Sequence, residues 1–424
     1  VSGSRIDRGY NPAVTHFLDD RDLRASVAWI LLDWAASAFS AILITLVVAY
    51  VERVVFADSA WGVAGGVVWA WLMAAAMLVS ALLAPFLSAH ADRTHSHKRW
   101  LLIATAVGAG ACLGLAALPP AARLAVAAAI VVAAVGFDMA QIFTGSLLPR
   151  IAQGAAADRL SAAGFGAGYL GGALALILAT AVVSNRDALG LSAPDALRWS
   201  FVVMGGWWLL FSLPAALARL GDGRSADHAA TSAGELMSFA RSLAGDAADG
   251  LGRTLLGSVL VLGAVQTAIA QFSSLALEEF HLDSAALVRL VLLVQFVALP
   301  GALFMGWLST RWSRAGALAG CLAGWIAVIV LAWFVRTPGQ LTALAVLLAL
   351  VLGGVQSVVR ATIAGLAPPG RFGATFGLLQ VGTKLAGFVA SLLFGAAYAA
   401  TGNARSGLVV LLAQLLAGWL VLRK

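Results

Sequence analysis

The chain has 424 residues, of which 61% are apolar and 11% charged, with a mean hydropathy of +0.93. Soluble proteins carry about 25% charged residues, so this chain has too little polar surface for a water-soluble body of its size. That excludes a soluble enzyme and a disordered chain. The net charge of +7 does not indicate nucleic-acid binding, because the basic residues sit at the ends of apolar runs, where a membrane explains them.

The first residues, 1–24, are polar and charged and lack the pattern of a signal peptide. Twelve apolar stretches then follow, each near the ~20 residues that a helix needs to cross the hydrocarbon core. They run over 26–51, 61–88, 100–118, 121–148, 160–184, 199–220, 253–276, 285–309, 313–335, 339–367, 373–398 and 403–422. None shows the two-residue alternation of a barrel strand, so an all-α polytopic membrane protein is expected. With the N-terminus inside, nineteen Lys/Arg fall in inner segments and seven in outer ones: Arg53, Arg123, Arg186, Arg198, Arg289, Arg336 and Arg405. This asymmetry predicts that both termini are cytoplasmic. Trp29, Trp61, Trp100, Trp199, Trp312 and Trp419 fall near span ends, where interfacial aromatics belong.

The longest connection, 221–252, divides the chain into an N-terminal segment (1–25), a six-helix bundle (26–220), a cytoplasmic linker and a second six-helix bundle (253–424). The halves echo each other. Ala91-Asp92-Arg93 closes span two and Ser309-Thr310-Arg311 closes span eight; spans five and eleven are both glycine-rich. Six spans is an even number, so the repeat is parallel, as in the major facilitator superfamily. Cys112 and Cys321 lie inside apolar runs and form no disulfide framework or zinc cluster.

A charge at the centre of a membrane helix costs at least ~2.5–3.5 kcal/mol, so those that persist carry information. Three do: Asp33 in span one, Asp138 in span four and Lys384 in span eleven. They lie at similar depth and could form one titrating cluster or a structural ion pair. Gln141 shares a face with Asp138, and Gln380 shares one with Lys384. Gln266, Thr267 and Gln356, with Trp34, complete the candidate substrate and proton site. For each polar group, helix–helix hydrogen bonding is the competing role. Asp92 and Arg93 are expected to gate the inner side, with Arg99, Arg360 and Arg371 as charge partners. His90, His95 and His97 crowd one loop without a fourth ligand at fixed spacing, so no metal site is expected. Glu278, Glu279, His281 and Asp283 form an acidic outer loop. No nucleophile triad, P-loop or dinucleotide fingerprint occurs, so neither a cofactor nor enzyme activity is expected.

Several stretches resemble the vacuole-effluxer family of the major facilitator superfamily, which takes its name from an autophagy-related yeast vacuolar amino-acid exporter. Asp33-Trp34-Ala35-Ala36-Ser37-Ala38-Phe39 is similar to D-W-A-N-S-A-[FY]. Ser146-Leu147-Leu148-Pro149 is similar to N-S-L-L-P, and Leu160-Ser161 through Gly168-Tyr169-Leu170-Gly171-Gly172 to a glycine-rich span five. Val265-Gln266-Thr267, Gly353-Gly354-Val355-Gln356 and Thr383-Lys384 match spans seven, ten and eleven. The departures are Ala36 for Asn, Thr144-Gly145 for Tyr-Asn, Gly263 for Asp and Thr310 for Asp.

The resemblance implies a monomeric secondary transporter. It would move a small amphiphilic metabolite, an amino acid or a relative, outward through a bacterial inner membrane with protons coupled. The lost polar groups keep open an exporter of drugs or lipophiles; a third reading is a membrane scaffold that does not transport.

Overall fold

The computed structural model describes residues 20–58, 61–152, 155–220, 250–311, 314–366 and 372–423. The described residues form helices joined by short turns, without strands. The helices are α1 (Asp20–Ile42), α2 (Gly65–Thr94), α3 (His97–Ala117), α4 (Arg123–Ile151), α5 (Ala155–Ser184), α6 (Ala193–Leu217), α7 (Gly250–Glu279), α8 (Ser284–Arg311), α9 (Arg314–Phe334), α10 (Pro338–Leu366), α11 (Phe372–Thr401) and α12 (Gly407–Arg423). Eleven helical segments are long and apolar enough to cross a membrane; the twelfth stretch, in α8, has a shorter apolar run, Ala285–Gly301. Most of the expected linker, 221–249, lies outside the described residues.

The first span is longer than the hydropathy indicates. Beyond α1 the chain passes through a π-helical turn (Leu43–Val47), a short α piece (Val48–Tyr50) and a second π turn (Val51–Val55). Thr45 is one local cause. Its hydroxyl donates back to the carbonyls of Ala41 at 2.6 Å and Ile42 at 3.3 Å, competing with the backbone amides for the i−4 acceptor. Elsewhere the ends follow ordinary capping chemistry. Ser192 accepts from the Asp195 amide ahead of Pro194 to start α6.

The helices alternate in direction, so one face carries the start of α1 and the end of α12. We call it the terminal face. On the opposite face, arginines hold helix ends. Arg123 donates to the Val55 carbonyl at 2.9 Å and to Asp58 at 2.7 Å. Arg198 donates to the Ala116 carbonyl at 2.9 Å. Arg336 donates to the Trp333 carbonyl at 2.9 Å. Arg405, 12% exposed, pairs with Glu279 at 3.0 Å and also reaches the carbonyls of Trp333 and Val335. A helix end leaves four carbonyls without amide partners, and a cation there satisfies them and complements the dipole. On the terminal face, Lys98 does the same for the Ala218 carbonyl at 2.6 Å.

Glycines set the close helix contacts. A Cβ on Gly136 of α4 would lie 2.6 Å from the Gly108 Cα of α3, and one on Gly301 of α8 would lie 2.7 Å from the Leu350 Cα of α10. Such small residues let membrane helices approach backbone to backbone. Helix continues on both sides of Pro300 in α8. Trp61 and Trp199 are exposed, but Trp29 is buried at 3% exposure, with its indole N–H on the Thr144 carbonyl at 2.8 Å. Trp29 is therefore a packing residue and not the interfacial one its position suggested. Both cysteines are free and buried.

Candidate functional site

Asp138 on α4, one of the first six helices, meets Lys384 on α11, one of the last six. Lys384 Nζ donates to Asp138 Oδ1 at 2.6 Å, and the side chains are 17% and 13% exposed. The second carboxylate oxygen, Oδ2, accepts from the buried Ser80 hydroxyl of α2 at 2.7 Å. Three helices thus converge on one carboxylate. Charge-assisted bonds of this length are among the stronger hydrogen bonds. Burying both charges is tolerable only because each satisfies the other and the remaining oxygen also has a donor.

The pair marks a change in how the groups pack. Toward the opposite face, α2 and α11 stay in contact. A Cβ on Gly387 would lie 2.8 Å from Met77 Sδ, and one on Gly395 2.8 Å from Trp71 Nε1. Ser391 donates to Met77 Sδ at 3.8 Å. Trp69 donates its indole N–H to the Ala270 carbonyl of α7 at 2.9 Å, and Arg53 donates to the Leu282 carbonyl between α7 and α8. Toward the terminal face the packing opens. Gln141, one turn from Asp138, and Gln380, one turn from Lys384, are both exposed. Gly145, one further turn along the same face of α4, is exposed and has no atom within 4 Å of an added Cβ.

Asp33 occupies a different niche. Its carboxylate lies against α5, where a Cβ on Gly164 would come within 2.5 Å of Oδ2. The next residues follow the same seam. A Cβ on Gly168 would meet Ser37 Oγ at 2.7 Å, and one on Gly171 would meet the Trp34 carbonyl at 2.7 Å. The Trp34 indole covers Gly171 and extends to α6, stacked on Trp207 at 5.8 Å and edge-on to Phe211. All three charges sit about 18–20 Å along their helices from the terminal-face ends, at 1.5 Å per residue, so they share a depth.

The remaining candidates divide between packing and open positions. Thr267 is fully buried and lies 3.2 Å from the Gly387 carbonyl, to which it donates, and 3.3 Å from the Ser391 hydroxyl, which stitches α7 to α11. Gln266 and Gln356 are half-buried. Arg99 is exposed at the start of α3. The side chains of Asp92, Arg93 and Arg360, and the whole of Arg371, lie outside the described residues. Among the described residues no three His, Cys, Asp or Glu side chains group as a metal site. Ser80 and the cross-group donors Trp69 and Arg53 were missing from the sequence-based site. Ser80's signal was a lone hydroxyl in the apolar run from Met77 to Ala81.

A family profile described as "Vacuole effluxer Atg22 like" matches residues 67–423. The chain belongs to the vacuole effluxer Atg22-like family. A relative in Bacillus subtilis (strain 168), described as an uncharacterized MFS-type transporter YxiO, is 25% identical over 404 residues, covering 93% of both chains. Autophagy-related protein 22 of Cryptococcus neoformans var. neoformans serotype D (strain B-3501A) is 26% identical over 280 residues; the match spans 61% of this chain and 50% of that protein. Among solved structures, the nucleoside transporter NupG superposes with a TM-score of 0.70 at 12% identity, covering 94% of this chain and 98% of that one. A D-xylose-proton symporter superposes with a TM-score of 0.67 at 15% identity, covering 94% and 96%. The fold is that of the major facilitator superfamily, and the chain is a multi-pass membrane transporter of that type.

The departures from the Atg22-like pattern fall in unlike places. Ala36 is buried at 4% exposure. Gly263 is so tightly packed that a Cβ would lie 2.6 Å from the Ala386 Cβ and 2.8 Å from Gln414 Nε2. Thr144 is buried beside Trp29, and its carbonyl accepts the indole. Gly145 alone among these four residues is exposed, with no atom within 4 Å of an added Cβ. The side chain of Thr310 lies outside the described residues.

Proposed function

We propose that this Atg22-like chain is a secondary active transporter that exports a small amphiphilic metabolite, an amino acid or a relative, by alternating access, with proton movement coupled. The observation that carries the reading is the Ser80–Asp138–Lys384 junction between the two six-helix groups. A proton on Asp138 would remove the counter-charge of Lys384. The ammonium would then be available to a substrate carboxylate, with Gln141 and Gln380 offering amide donors and acceptors one turn away. Loss of the proton on the far side would restore the pair and displace the carboxylate, so proton and substrate cross in the same direction and export runs down the substrate's own gradient. The reaction is an exchange of one anion for another at a fixed cation.

The nineteen-to-seven asymmetry in basic residues supports a cytoplasmic terminal face. Five of the seven arginines on the other side are bound to main-chain carbonyls, which gives them a structural reason to be there. On that orientation the packing described above is an inward-facing arrangement, and the membrane is a bacterial inner membrane. A xylose-proton symporter among the fold neighbours makes proton coupling a reasonable expectation for the architecture, though fold does not fix substrate. The lipophile-exporter reading rested on lost polar groups. Ala36, Gly263 and Thr144 are packed in helix contacts, so their loss does little to the polarity of an open vestibule.

The test is flux in proteoliposomes loaded with candidate amino acids under an imposed pH gradient. Gradient-dependent movement that Asp138→Asn and Lys384→Met both abolish is the expected result. Movement insensitive to both substitutions would refute the coupling site, and absence of flux with every substrate class would favour the scaffold reading.

A further inference from the structure

A small cavity lies away from the Asp138–Lys384 junction, among the last six helices near the opposite face. It has a volume of about 40 Å³ and is lined by α7, α9, α10, α11 and α12, with Gln271, Phe272, Trp325 and Phe394 in its wall. The other lining residues are apolar. Gln271 is 2% exposed and Trp325 is fully buried. Neither Nε2 nor Oε1 of Gln271, nor Nε1 of Trp325, has a hydrogen-bond partner among the described residues.

A primary amide surrounded by hydrocarbon is strongly unfavourable unless its donors and acceptor are met. The site is otherwise well suited to a leucine, and Leu275 lines the same wall one turn on. The glutamine therefore calls for a polar occupant. Size decides which. A void needs about 10–15 Å³ of such volume to hold one water, whereas metabolite pockets run to about 300–1,000 Å³. Chemistry agrees, because the amide offers two donors and one acceptor and the indole one further donor. A water can accept from the indole and donate to the amide oxygen at once.

We propose that this cavity is a structural water site, holding one to about three waters that bridge the Gln271 amide on α7 to the Trp325 indole on α9. The bridge fixes α7 at the residue next to Ala270, whose carbonyl receives the Trp69 indole across the two groups. Gln271 is then a positioning residue for that contact and does not touch substrate.

X-ray hydroxyl-radical footprinting of the full chain in liposomes reads bound water directly, since radicals form from the water beside the side chain they oxidise. Trp69 is the internal reference, being fully buried with its N–H bonded to protein. Trp325 is expected to oxidise several-fold faster than Trp69, and Gln271→Leu is expected to bring it down to the Trp69 rate. Gln271→Met serves if the leucine variant does not fold. Trp325 oxidising no faster than Trp69 would mean a dry cavity and would overturn the proposal on wild-type protein alone. An unchanged Trp325 rate in a folded Gln271 variant would overturn it too, because the water would not depend on the amide.

Discussion

The carboxylate of Asp33 occupies the place that a side chain at Gly164 would need: a Cβ there would lie 2.5 Å from Oδ2. This contact joins two sequence patterns that are distant along the chain. Asp33, Trp34 and Ser37 on α1 face Gly164, Gly171 and Gly168 on α5. The glycine run is a groove shaped to the polar and aromatic residues of α1. Its members should differ in tolerance. At Gly171 the obstacle is the Trp34 backbone carbonyl at 2.7 Å, which cannot rotate aside. Gly171→Ala should destabilise the protein by about 1–3 kcal/mol, the usual cost of overpacking. Gly206→Ala on α6, with nothing within 4 Å of the new methyl, should be neutral or stabilising by up to about 1 kcal/mol through helix propensity. Melting temperatures in detergent check both; equal effects would mean that α1 and α5 do not touch at Trp34.

The Asp138–Lys384 pair makes a second prediction, on stability. Removing one partner of a buried ion pair costs about 3–5 kcal/mol, because it strands the other charge. Lys384→Met should therefore lower the melting temperature sharply, and Lys384→Met with Asp138→Asn should recover much of the loss. Ser80→Ala deletes one hydrogen bond to a charged group and should cost about 1.5–3 kcal/mol. A double-mutant cycle measures the coupling, and additive losses would show that the two residues do not interact.

The opposite face supplies a third. Arg405 holds Glu279 and two carbonyls from the end of α9, with its guanidinium 5.3 Å from the Phe280 ring centre. Its planar fork makes these bonds in several directions, which a lysine cannot reproduce. Arg405→Lys should lose most of the stability that Arg405→Gln loses. If lysine restores the wild-type melting temperature, charge alone suffices and the bonds to carbonyls contribute little.

The span order and the charges worth noticing were legible because hydropathy and membrane cost are local properties. Asp138 and Lys384 are conspicuous in apolar runs, and their shared depth follows from counting residues. Their partnership, and the separate niche of Asp33, depend on how helices rotate against one another, which no single helix encodes. Asp33 and Trp34 illustrate the limit. Adjacent helical residues point about 100° apart, and which neighbour each one meets depends on helix rotation: Asp33 lies against Gly164, and the Trp34 indole reaches from Gly171 onto Trp207. Thr267 was legible as polar but not as a donor to Gly387. The π turns after Ile42 were hidden because hydropathy reads composition and not hydrogen-bond register.

Orientation is tested by labelling from outside the cell. Both native cysteines are buried, so single introduced cysteines report cleanly. Ala188→Cys, in the exposed turn between α5 and α6, should react quickly with an impermeant maleimide in whole cells. Thr94→Cys, exposed at the end of α2, should react only after permeabilisation. The reverse pattern would invert the topology and, with it, the direction assigned to the vestibule.

The last prediction concerns the inward-facing vestibule proposed above. Gln141 and Gln380 are exposed one turn toward the terminal face from a junction whose own side chains are largely buried. In inside-out vesicles, Gln141→Cys and Gln380→Cys should label readily, while Met77→Cys, buried beyond the pair, should not. Asp138→Asn should change this pattern if the ion pair helps to set which state is populated, because a substitution shifts a conformational equilibrium only by its differential effect on the two states. With the halves unpinned at mid-depth, the outward-facing state becomes more accessible and labelling at Gln141→Cys and Gln380→Cys from the terminal side should fall. A population shift from about 99:1 to even needs about 2.7 kcal/mol, which lies within the range for a buried pair. Unchanged labelling in a folded Asp138→Asn protein would separate the two roles: the pair would then bind substrate or proton without governing the conformation of the carrier.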